Sequence, residues 1–147
     1  MKDYIVLTNT TSTVSANNEI SWNINQSSFK SMKPNDRLIL KVKSCSAIMD
    51  NGADDGIPGL LLFYCNLNTS NMTTDTGETL LCMENSDVKY LAADVKYYIY
   101  TIGIQNEVEL YTNPFSKLTV WTTDDLTRTR LEIKHLNLVI EISYYQN

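Results

Sequence analysis

The sequence predicts an all-β protein, an eight-stranded antiparallel sandwich, and three observations carry that expectation. Apolar and polar residues alternate with period two in one segment after another. The segments are joined by polar stretches of Thr, Asn, Ser, Asp and Gly, without the regular helical crossovers that a parallel sheet requires. No internal repeat of about 20 to 50 residues is present, which argues against a solenoid or propeller. The long, irregular links favour a single jelly roll over a simple meander.

An opening strand is expected at residues 3–9. In 19–25 (EISWNIN), Ile20, Trp22 and Ile24 share one face, and Glu19, Ser21, Asn23 and Asn25 the other, as in a half-buried strand. SSFKSM, near 27–32, fits one turn of helix, and Pro34-Asn35-Asp36 is a turn. In 37–49 (RLILKVKSCSAIM), Leu38, Leu40 and Val42 face inward while Lys41 and Lys43 face out. Residues 60–67 (LLLFYCNL) are apolar on both faces, as in a central strand covered on both sides. A short strand follows at 79–84.

Residues 86–95 (SDVKYLAADV) place Val88, Leu91, Ala92 and Val95 at helical spacing, with Ser86 as N-cap and Asp87 in the first turn. One short helix is expected there. Residues 96–102 (KYYIYTI) are rich in strand formers. Residues 117–123 (KLTVWTT) set Leu118 and Val120 against Thr119 and Trp121. In 130–145, Leu131 and Ile133 have one parity and Leu136, Leu138, Ile140 and Ile142 the other. A bulge near His135–Leu136 in one long strand explains the slip. The predicted core is Ile20, Trp22, Ile24, Leu38, Leu40, Val42, Leu118, Val120, Leu138, Ile140 and Ile142.

The 147 residues fit one domain, 1–147, and a hydrophobic content of 43% with 20% charged residues is enough to bury a core. Twelve Lys and Arg against 17 Asp and Glu leave a net charge of −5, unsuited to neutralising nucleic-acid phosphates. No apolar run approaches the roughly 18 residues that span a bilayer. The apolar run in MKDYIVLTN is too short for a signal peptide, so export by the ordinary route is not expected.

No catalytic, cofactor or metal site is expected. Cys45, Cys65 and Cys82 form no CxxC pair and read as buried, reduced thiols. With His135 the sole imidazole, a zinc site lacks ligands, and no nucleophile elbow or Cys–His signature is present. The five glycines form no phosphate loop. DNGADDGIPG (50–59) carries Asp50, Asp54 and Asp55, but Asp55 stands where a calcium loop needs Gly and no Glu closes it, so a solvated turn is expected. The polar loop NLNTSNMTTDTGE (66–78) holds sequons at Asn68 and Asn71, with others at Asn9 and Asn25. They match the general abundance of Asn, Thr and Ser.

The aromatic residues are the remaining candidates. Trp22 falls on the core face. Trp121 falls opposite Leu118 and Val120, and is exposed if Thr119 and Thr123 face solvent. Tyrosines occupy both faces of 96–102 and 144–145, so some reach the surface, where they suit protein contacts. Trp121, Tyr98, Tyr100 and Tyr145 are the candidate interface or ligand contacts.

The order of these segments resembles a known family. An opening strand, a Trp-containing alternating strand and Pro-Asn-Asp leading into RLILKVKSCSAIM look like the first half of small viral jelly-roll capsid proteins. KLTVWTT, a polar turn at Asp124–Asp125 and RLEIKHLNLVIEISYY resemble the closing strands of penton and minor capsid proteins of double-stranded DNA viruses of the double-jelly-roll lineage, which includes virophages, polinton-like viruses and their giant-virus relatives. The resemblance implies a non-enzymatic virion protein, made and assembled inside the host cell. It implies partnership with copies of itself, a pentamer favoured, and with a major capsid protein. The alternatives are a carbohydrate-binding jelly roll, with Trp121 or Tyr98 stacked on a sugar, and an enzyme on a β-sandwich.

Overall fold

The computed structural model describes residues 1–9, 13–14, 18–50, 60–67, 69–70, 79–92, 95–102, 108–123 and 130–146. At 13–14, 48–50, 60–61, 69–70, 84–92 and 95–102 it describes the backbone alone. The strands are β1 (Lys2–Leu7), β2 (Thr13–Val14), β3 (Ile20–Asn23), β4 (Arg37–Asp50), β5 (Leu60–Cys65), β6 (Thr69–Ser70), β7 (Leu80–Ala92), β8 (Val95–Ile102), β9 (Leu110–Thr112), β10 (Lys117–Thr122) and β11 (Ile133–Tyr145). Eight of them form two four-stranded antiparallel sheets, ordered β1-β11-β4-β8 and β7-β5-β10-β3. This is the predicted sandwich with jelly-roll strand order. The β7–β8 hairpin joins the two sheets along one side.

The three short strands are local additions. β2 extends the β3 edge, and β6 pairs with β9. β8 and β9 share one strand position beside β4. Thr101 lies opposite Ser46 and Leu110 opposite Leu40.

The core lies between the sheets because each strand turns its apolar parity inward. Ile5, Leu7, Leu38, Leu40, Val42, Leu110, Leu138, Ile140 and Ile142 from one sheet pack with Ile20, Trp22, Phe63, Leu118 and Val120 from the other. Ile24, just after β3, is buried with them. β5 is covered on both sides: Phe63 and Cys65 join this core, and Tyr64 joins a second cluster with Leu80 and Val108. Thr122 is fully buried, and its hydroxyl donates to the Leu62 carbonyl at 2.7 Å, which offsets its desolvation. Beyond the end of β5, the Asn66 side chain extends the ladder, accepting from Thr119 N at 2.8 Å and donating to Lys117 O at 3.1 Å.

Two bulges keep the longest pair of strands apolar on one side. In β11 the register jumps between Ile133 and His135, leaving Lys134 as the extra residue, one position before the predicted bulge. In β4 it jumps between Val42 and Ser44, with Lys43 extra, so the inward set changes from Leu38, Leu40 and Val42 to Cys45 and Ala47.

The predicted helix at 86–95 is absent. Residues 84–92 belong to β7 and pair with β8 from Glu84 opposite Ile102 to Ala92 opposite Val95. The segment also alternates as Asp87, Val88, Lys89, Tyr90, and a ten-residue helix is marginal alone. Pairing with the Tyr- and Ile-rich β8 satisfies its backbone, and a register shift at Leu91 absorbs the apolar pair that mimicked helical spacing. β7 accordingly runs well beyond the short strand expected at 79–84. Near 27–32 the helical turn is a 3-10 turn at Gln26–Ser28, capped by Asn25, whose side chain accepts from Ser27 N. The turn at 34–36 forms, with Asn35 at φ 68° in the left-handed region that Asn tolerates. Residues 51–59 and most of 66–78 lie outside the described residues.

Two outcomes are expected. Phe63→Ala should cost about 3–5 kcal/mol in urea unfolding, since it empties a fully buried site between the sheets. All three thiols are buried, and burial pushes that of Cys65 up to about 12. An aromatic disulfide reagent at pH 8 should therefore label Cys45, Cys65 and Cys82 rapidly only after denaturation.

Candidate interaction surface

Trp121 tops the smaller cluster, on the outer side of the β7-β5-β10-β3 sheet. It lies opposite Tyr64 in register, with ring centroids 6.3 Å apart, and Leu62, Met83 and Val108 complete the surround. A bridge between Thr123 and Arg130 closes the connection from β10 to β11 and brings Arg130 alongside. Its guanidinium sits 4.9 Å over the Trp121 ring as a cation–π pair and is held by an ion pair to Glu19. Thr119 and Thr123 are buried rather than solvent-facing, so Trp121 is partly buried. The open platform anticipated from alternation is therefore occupied on one ring face.

The outer side of the other sheet differs. Cross-strand rows run Val6–Val139–Ser44, Tyr4–Glu141–Lys41 and Lys2–Ser143–Ile39–Tyr111, with Tyr145 opposite Arg37 at one end. Tyr4 is 57% and Val6 65% exposed; with Met1 at 97% they are the exposed large hydrophobics among the described residues. Tyr111 and Tyr145 meet edge to face at 6.3 Å, and Arg37 lies 5.8 Å from the Tyr145 ring. Glu141 is nearly buried, and is satisfied by Lys2 at 3.2 Å and the Tyr4 hydroxyl at 3.3 Å. The Tyr111 hydroxyl donates to Glu109 at 3.0 Å, which raises the phenol pKa.

A polar knot ties the end of β11 to β1 and the β3–β4 connection. The Tyr144 hydroxyl donates to Asp3, and Asp3 also accepts from Ser31 N at 2.7 Å and Ser31 Oγ at 3.0 Å. Asp36 accepts from Lys33 N at 2.8 Å and from Gln146 Nε2 at 3.0 Å. A cleft of about 360 Å³ opens beside these residues, between Met1, Lys33 and Tyr145. The hydrogen bond from Tyr144 holds the Asp3 carboxyl below its ordinary range against the opposing effect of desolvation, with Ser31 adding to the lowering. Burial, then the bond to Asp3, raises the Tyr144 phenol.

The four aromatic candidates are not brought together. Trp121 is on one sheet and Tyr145 on the other. Tyr98 and Tyr100 lie opposite Met49 and Ala47, toward the far end of β4 from Arg37, and their side chains lie outside the described residues. Tyr4, Val6, Arg37 and Tyr111, on the outer face of the other sheet, are not among those candidates. The available signal was KDYIVL, apolar at both parities over Tyr4–Leu7, which in an edge strand leaves one apolar set uncovered. His135 is exposed, and among the described residues no cluster of His, Cys, Asp and Glu could hold a metal ion.

These features define an antiparallel jelly-roll sandwich with one outer face largely closed by its own side chains and the other carrying exposed Tyr and Val. Compared with known protein families and with curated proteins, the chain matches none.

A carboxylate with a depressed folded pKa stabilises the fold above its unfolded pKa and loses that contribution as pH falls through the folded value. Stability should therefore fall as pH drops below about 4, and Asp3→Asn should flatten the acid limb of a melting-temperature profile. The raised Tyr144 phenol acts oppositely, its contribution fading as pH rises past about 10.

Proposed function

We propose that the chain is a structural virion protein, a penton or minor capsid protein of the double-jelly-roll lineage of double-stranded DNA viruses. It assembles through side-wall and loop contacts with copies of itself and with a major capsid protein. One observation carries this reading. The jelly-roll sandwich is joined along one side by the β7–β8 hairpin and leaves β1, six residues long, as an edge strand paired on one side among the described residues. Tyr4 and Val6, both exposed, lie on that strand. An edge of this kind has to be covered by a neighbour or blunted, and assembly covers it. On the opposite edge, β2 is only two residues long. The order of segments that resembles capsid proteins agrees with this role.

The carbohydrate-binding alternative is less well supported, because Arg130 occupies one face of the Trp121 ring that a sugar would stack on.

Light scattering after size-exclusion chromatography should find a species of about five subunits, the cyclic assembly a shell vertex needs. A mass of one subunit at every concentration would overturn self-assembly as the mode of action.

A further inference from the structure

We propose that copies of this chain associate head to tail, each setting the outer face of β1, β11, β4 and β9 against acidic surface on its neighbour. This rests on the self-assembly reading above and names the surface that serves it.

Charge identifies the occupant. Lys2, Arg37, Lys41, Lys43 and Lys134 lie on this side of the sheet, with Glu109, Glu132 and Glu141 as the described carboxylates among them. All three carboxylates are already engaged, Glu141 by Lys2 and Tyr4, Glu109 by Tyr111 and Glu132 by Lys134. Arg37, Lys41 and Lys43 have no carboxylate partner among the described residues. Arg37 Nε is in addition a buried donor without an acceptor, a kind of group that native structures rarely leave unmatched. Five cations against three anions make the described part of this face positive on a chain of net charge −5, and 14 of the 17 carboxylates lie elsewhere in the sequence.

That asymmetry selects the geometry. A two-fold contact would place the positive face on itself and set like charges together, at a cost. A heterologous contact places it on the acidic remainder of another copy and propagates into a ring when the rotation closes. Val6, Tyr4, Val139 and Ile39 supply apolar area among these charges. The outer face of the opposite sheet offers no such area around Trp121, where Tyr64, Leu80 and Val108 are already buried.

The test is light scattering on the full chain, as wild type, Val6→Glu/Lys43→Glu and Lys117→Glu. All three positions are exposed, Lys117 on the other sheet, and matching circular dichroism and melting temperatures establish that each variant folds. Wild type should form an oligomer that loosens as salt rises from about 50 to about 500 mM, as the Debye length falls to a few Å. The double variant should associate about ten-fold more weakly or not at all, and Lys117→Glu should keep the wild-type mass. A folded double variant of wild-type mass would overturn this surface while leaving self-assembly intact. Association that strengthens with salt would overturn the head-to-tail charge match in favour of an apolar two-fold contact. A wild type that stays monomeric throughout would fail the assembly reading itself, and this proposal with it.

Discussion

The ladder between β4 and β11 is the constraint on which the remaining structure depends. These strands, of 14 and 13 residues, pair along nearly their whole length, and each carries the next strand outward: β1 on β11, β8 and β9 on β4. A strand presents alternate residues to one side, so over this length a single slip would turn half its apolar residues to solvent. The extra residues Lys134 and Lys43 absorb two such slips. Both are long and cationic and carry their charge to the surface, which is the side chain such a position tolerates best.

The two outer faces then diverge for a local reason. On the β5–β10 side, Tyr64, Leu80 and Trp121 are large enough to need covering, and Val108 and Arg130 cover them from connections between strands. On the β1–β11–β4 side the outward positions are Lys, Glu and Ser mixed with Tyr, Val and Ile. The chain satisfies the charges that would otherwise be stranded, as with Glu141 between Lys2 and Tyr4. It leaves Tyr4 and Val6 open at the edge. One side is thus finished by tertiary packing, while the other keeps Tyr4 and Val6 exposed.

The knot of Asp3, Ser31 and Tyr144 connects that face to the fold. It binds the start of β1 to the β3–β4 connection and the end of β11, so the open edge strand is held in register by a charge-assisted network at one end. Asn9 holds the other end, its backbone N–H donating to Asn137 at 3.0 Å. A strand pinned at both ends presents its free edge in a defined geometry, and an interface formed on it loses less conformational entropy.

The sequence by itself determined the fold class and the inward face of most strands. Leu38, Leu40, Val42, Leu138, Ile140 and Ile142 are legible because a two-residue period has one reading when one side is apolar and the other charged. The bulge in β11 was legible from its change of parity. That in β4 was not, because Cys45 and Ala47 are weak signals beside Lys43 and Ser44. The hairpin over 84–102 was decided by tertiary structure, since Val88, Leu91, Ala92 and Val95 fit a helix until β8 offers a partner for the backbone. The side chains of the proposed contact surface differ in how far sequence marks them. Tyr145 stood out by residue type, but Trp121 is covered by Arg130, nine positions on, and Val6, Ser44 and Lys43 become neighbours only across a ladder that joins both ends of the chain. Short-range pattern records which residues avoid water; which of them meet depends on strand order, and that is fixed only when both sheets close on one core.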